Sequence, residues 1–135
     1  MLELRPHHLG LSVPNLEESI AWYGRALGFA LEKTLYLEAI PARVAFLRRG
    51  EFRLELFEVP GANPLPEERK TPHADLKTHG TKHLAFAVED VEAAVKELEG
   101  RGVEVVMRAR IEGGPMAFIR DNAGNLLELV QVSSF

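Results

Sequence analysis

Four residues of this 135-residue chain have the types and spacing to act on one chemical problem: His8, Glu55, His83 and Glu128. The histidines stand 75 positions apart and the glutamates 73. "HHLGLSVPNLEESIAWY", from His7, and "KHLAFAVEDVEAAVKEL", from Lys82, align His8 with His83, Leu9 with Leu84, Val13 with Val88 and Glu17 with Glu92. "LELFEV", from Leu54, and "LELVQV", from Leu127, share Leu-Glu-Leu and a final Val. Each copy therefore holds one histidine and, further on, one glutamate. Neutral imidazole and carboxylate oxygen together suit Zn, Ni, Co, Mn or Fe as the divalent ion. Burying two uncompensated carboxylates is unfavourable, and a cation between them offsets that cost. Four protein ligands on an ion that takes six leave two positions for water or substrate, which is the open arrangement of a catalytic centre.

Alternation along the strands decides whether the four can share a face. In "RLELF", Leu54 and Leu56 point one way, so Glu55 points the other, together with Arg53 and Phe57. In "LLELV", Glu128 is opposite Leu127 and Leu129. His8 is opposite Leu9 and Leu11, and His83 is opposite Leu84 and Phe86. If the leucine faces are covered by helices, all four polar residues project from the uncovered side. His7 and Glu58 have the other parity, Glu51 has no counterpart in the second copy, and His73 and His79 fall between the copies.

The elements that must position these residues also repeat. Residues 7–13 read as a strand stopped by Pro14. "NLEE" reads as a capping box with Asn15 as N-cap, and Leu16, Ile20, Tyr23 and Leu27 recur at helical spacing up to Gly28. Strands are predicted over about 29–37, 42–49 and 51–59, the last two joined at "RRGE". The second copy predicts a strand over 82–88, a helix capped by Asp90 and ended by Gly100 or Gly102, and strands over about 103–110, 115–120 and 125–132. The fold class is α+β, built from two tandem βαβββ modules around a metal-binding concavity. Residues 1–135 read as one domain, with module 1 about 4–59, a connecting segment 60–81 and module 2 about 82–132. The segment is rich in proline and charge, and reads as a flexible linker, with a lid over the concavity as the alternative.

Composition narrows the function. With no cysteine, disulfides, thiolate metal sites and a cysteine nucleophile are excluded. A formal charge of −4 argues against nucleic acid as a partner. No apolar run approaches the roughly 20 residues of a membrane span. The expectation is a soluble, cytoplasmic protein that acts on a small molecule.

"HHLGLSVPNLEESIAWYGRALGF", "FRLELFEV", "GTKHLAFAVEDVEAAVKELEGRGVEV" and "FIRDNAGNLLELVQ" together resemble the vicinal oxygen chelate superfamily. That family includes glyoxalase I, methylmalonyl-CoA epimerase, extradiol dioxygenases and the bleomycin- and fosfomycin-resistance proteins. The resemblance implies paired βαβββ modules and a homodimer. It also implies a metal held by His8, Glu55, His83 and Glu128, a set that looks like the isomerase branch, as in glyoxalase I. The implied reaction is proton transfer on a small substrate with vicinal oxygens, with Glu128 as the base and Glu55 as the second choice. Glutathione adducts and coenzyme A esters are anionic, and Arg53, on the face of Glu55, is the expected substrate contact. Two other readings remain open: a ring-cleaving dioxygenase using His8, His83 and Glu128, and a small-molecule binding or resistance protein without catalysis.

Overall fold

Pro14 and Gly28 bracket the first helix, and the chain on either side of it is extended. The structure, a computed structural model, describes residues 2–133 and divides into two compact units, Met1–Asn63 and Pro64–Phe135. In the first unit the order is β1 (His8–Ser12), α1 (Leu16–Leu27), β2 (Ala30–Leu37), β3 (Ala42–Arg49) and β4 (Phe52–Glu58). The strands lie in the order β1-β4-β3-β2, with β1 parallel to β4 and the other pairs antiparallel. The Asn15 side chain accepts a hydrogen bond from the Glu18 backbone at 3.0 Å, satisfying one of the free amides of the first turn. Gly28 takes φ 74° and donates to Gly24, a left-handed closure that a side chain would strain.

The apolar stripe of α1 gives this unit its core. Leu16, Tyr23 and Ala26 are buried, as are Ala45, Leu47, Leu54 and Leu56 on the strands beneath. Fully burying a leucine is worth about 1.5–3 kcal/mol, so this face holds the strands in register. A one-residue slip would turn Glu55 toward the helix.

The second unit repeats the pattern with β5 (Leu84–Val88), α3 (Val91–Gly100), β6 (Glu104–Ile111), β7 (Gly114–Arg120) and β8 (Leu126–Gln131), in the order β5-β8-β7-β6; a short helix, α2 (Pro72–Asp75), precedes them. Asp90 caps α3 by accepting from Ala93. The fold is α+β with two βαβββ modules, and the strand ends fall within about two residues of expectation. The repetition extends to details: β2 and β6 each carry a register shift at the same place, Leu31/Lys33 and Val105/Met107. The Leu16 amide donates to Glu58 Oε2 at 2.8 Å, and the Val91 amide to Gln131 Oε1 at 3.0 Å. Glu58 thus faces the helix, as its parity requires, and ties the helix start to the last strand of its module.

From Pro64 onward the connecting segment is a folded part of the second unit. A 3₁₀ turn (Glu67–Lys70) and α2 enclose Asp75, which is 1% exposed. Arg69 Nε lies 2.6 Å from Asp75 Oδ1, and Lys82 Nζ lies 3.2 Å from the same oxygen. Lys82 also donates to the Asp75 and Thr78 carbonyls, and Arg69 to that of Thr81. Arg120 Nε donates to the Lys70 carbonyl at 2.7 Å. The Lys70 stem lies against Gly124, where a Cβ would come within 3.1 Å of Cε. Composition gave no sign of this, because a buried aspartate and an exposed one are the same letter among polar neighbours.

Candidate metal centre

His8 opens β1, and Glu55 lies in the middle of the neighbouring parallel strand β4, opposite Gly10. Leu9 and Leu11 on β1 pair with Leu54 and Leu56 on the helix-covered face. His8 and Glu55 consequently share the other face, and His8 Nε2 approaches Glu55 Oε1 to 3.1 Å. Gly10 places no side chain opposite Glu55. Phe46 pairs with Glu55 from β3 and stands edge-on to the His8 ring at 5.5 Å.

The second unit builds the same pair. His83 lies one residue before β5, while Glu128 pairs with Ala85 and with Phe118. His83 Nε2 approaches Glu128 Oε1 to 3.1 Å, and Phe118 stands edge-on to His83 at 4.9 Å. The imidazole, carboxylate and phenyl ring therefore occur twice with one geometry. Their side chains keep partial access to solvent, 35% and 18% for His8 and Glu55, 27% and 14% for His83 and Glu128.

These pairs fit a metal as donors. Two ligands at about 2.0–2.2 Å from one ion and at right angles stand about 3 Å apart, the separation both pairs show. Each unit supplies one imidazole and one carboxylate. Among the described residues, no group of three or more metal-capable side chains gathers at one point. The two-donor pairs are thus what each unit brings together.

Two neighbours of the pairs escaped the sequence reading. His7 has the other parity, yet its Nδ1 is 2.7 Å from His8 Nδ1, so that one imidazole orients the other. Lys82, just ahead of His83, holds the buried Asp75 and anchors the entry to β5. An adjacent His-His or Lys-His is the only signal, and it carries no contact information. Arg53, on β4, pairs directly with His8 on β1, on the face expected from parity, and its Nε donates to Glu32 Oε1 at 3.0 Å. That hydrogen bond, with the charge of Arg53 and Arg48, holds the Glu32 carboxyl below the usual carboxylate range.

Residues 5–129 match the Glyoxalase/Bleomycin resistance protein/Dioxygenase superfamily. The chain belongs to this superfamily. The chain is 35% identical over 99 residues to the protein YaeR of Escherichia coli K12, covering 73% of this chain and 71% of that one. Human mitochondrial methylmalonyl-CoA epimerase is 27% identical over 136 residues, covering 94% of this chain and 73% of the human protein. A glyoxalase family protein from Enterococcus faecalis superposes with a TM-score of 0.80 at 25% identity, covering 94% of this chain and 97% of that one. For this glyoxalase-superfamily chain, no described helix is long and apolar enough to cross a membrane.

Proposed function

We propose that this protein is a divalent-metal-dependent isomerase or lyase that moves a proton on a small substrate with vicinal oxygens. The observation that carries the reading is the duplicated His–Glu pair, 3.1 Å in both units. The similarity to an epimerase over 94% of the chain supports the reaction class. His8, Glu55, His83 and Glu128 are the metal ligands in this reading.

A divalent ion bound there would supply Lewis-acid stabilisation of the negative charge that develops on the substrate oxygens, an effect worth several kcal/mol. The chain's own residues do the rest. Glu128 takes the proton and returns it, since a carboxylate within hydrogen-bond reach of a carbon acid can serve in both directions. Its cross-strand partner Phe118 is buried and limits the water that competes for that proton. Glu55 is the matching carboxylate of the first unit. His8 and His83 would supply the nitrogen donors to that ion, each 3.1 Å from the carboxylate of its own unit.

The test is solvent exchange. Metal-loaded protein incubated in D2O with hemithioacetals and acyl thioesters should place solvent deuterium in the product. Glu128→Gln should abolish the exchange while the protein stays folded. Bound metal with neither turnover nor exchange in both substrate classes would remove the proposal.

A further inference from the structure

The sheet faces that carry the two His–Glu pairs have diverged in charge. In the first unit, the rows across the sheet read Gly10–Glu55–Phe46–Lys33 and His8–Arg53–Arg48, with Glu32 at the register shift in β2. In the second, the corresponding rows read Ala85–Glu128–Phe118–Met107 and Leu126–Arg120–Glu104, with Val106 at the shift in β6. Met107, Leu126 and Val106 thus occupy the places of Lys33, Arg53 and Glu32, and they belong to an apolar cluster with Phe118 and Met116. The βαβββ module folds with apolar residues at these positions, so the charges of the first unit are not a requirement of the fold.

Those charges are also out of balance. Arg53 Nε lies 3.0 Å from Glu32 Oε1, and Arg48 Nη1 lies 3.6 Å from Glu32 Oε2, so two guanidinium groups share one carboxylate. Arg48 and Arg53 are direct partners across β3 and β4, a like-charge placement that opposes pairing. Lys33 Nζ sits 5.1 Å over the Phe46 ring, the ring that His8 meets edge-on. Among the described residues Lys33 has no carboxylate partner, and Arg53 has none beyond Glu32. The nearby Glu55 is engaged by His8. Three cations therefore stand with two carboxylates, both already in use.

We propose that this face binds a carboxylate or phosphate group, held by Arg53 and Lys33 with Arg48 behind them. Arg53 presents a planar fork of donors suited to either anion, and Lys33 adds a mobile point charge. Glu32 fixes the guanidinium groups before the anion arrives, which lowers the ordering cost of binding. Only 24% of the Arg53 side chain is exposed, so its charge is less screened than that of a surface arginine. In assigning the anion to the substrate, the inference rests on the function proposed above: the substrate presented to His8 and Glu55 carries a negative charge on an arm lying over Phe46.

The experiment is an NMR titration of metal-stripped protein with inorganic phosphate and, separately, acetate, at constant ionic strength. Saturable shifts of the Lys33, Phe46 and Arg53 amides are expected with at least one anion, and the stronger of the two names the group. Arg53→Gln and Lys33→Gln should each weaken binding by about tenfold. Arg120→Gln, the sheet counterpart of Arg48 in the second unit, should leave binding unchanged. Shifts that stay linear with both anions, or that saturate equally in Arg53→Gln and Lys33→Gln, would overturn the proposal. Zinc binding measured on the same variants keeps the two ideas apart. Zinc retained without saturable anion binding removes only the anion site, whereas anion binding without zinc binding removes the metal-dependent reaction and leaves the anion site standing.

Discussion

Lys82 Nζ lies 3.2 Å from Oδ1 of Asp75, and Asp75 is 1% exposed. One residue later the chain presents His83. The same Asp75 oxygen receives Arg69, so a buried carboxylate gathers both ends of the segment that leads into β5. Removing one partner of a buried ion pair leaves uncompensated charge behind. Asp75→Ala should therefore cost about 3–5 kcal/mol in urea unfolding. Leu76→Ala, one position along but exposed, should cost much less.

The metal reading predicts that both histidines matter despite lying in different units. His8→Ala and His83→Ala should each weaken zinc affinity by more than the 10–100-fold typical of removing an outer-sphere partner. Competition against a chromophoric chelator measures this. An unchanged affinity in either variant would remove that histidine from the ligand set.

Arg43 predicts an acid-side effect. It bridges Glu17 on α1 and Glu58 on β4, with Nη1 2.9 Å from Glu58. The hydrogen bond from Arg43 holds the Glu17 carboxyl below its ordinary value of 4.5, and these bonds raise the Arg43 pKa further above its already high value. A carboxyl with a depressed folded-state pKa contributes stability that is present above its unfolded pKa and lost as the pH falls through the folded one. Arg43→Gln should therefore flatten the fall in stability below about pH 4.5. Denaturant midpoints across an acid pH series check it.

The two caps should behave as equals. Asn15 and Asp90 each accept one amide of the first turn at 3.0 Å. Asn15→Ala and Asp90→Ala should each lower stability by about 1 kcal/mol, read from chemical denaturation.

The glyoxalase-superfamily architecture was legible because its signals are local and repeated. Period-2 leucines set the register of β4 and β8, and the caps at Asn15 and Asp90 start both helices, so the side on which Glu55 and Glu128 project followed from counting. A strand alternates whether or not its neighbours are known, and a buried face makes a register slip costly. The fate of residues 60–81 was not legible. Proline and charge suggest a tether, but Asp75 finds Arg69 and Lys82 only once the segment folds back.

The sequence by itself determined the repeated module, the pairing of one imidazole with one carboxylate in each copy, and the parity that puts Arg53 beside them. Only the tertiary structure decided that Glu32 draws Arg48 and Arg53 together, that Lys33 reaches Phe46, and that His7 touches His8. The physical reason is reach. Backbone period dictates which face a residue occupies, whereas the partner found by a long charged side chain depends on strands brought alongside it from elsewhere in the chain.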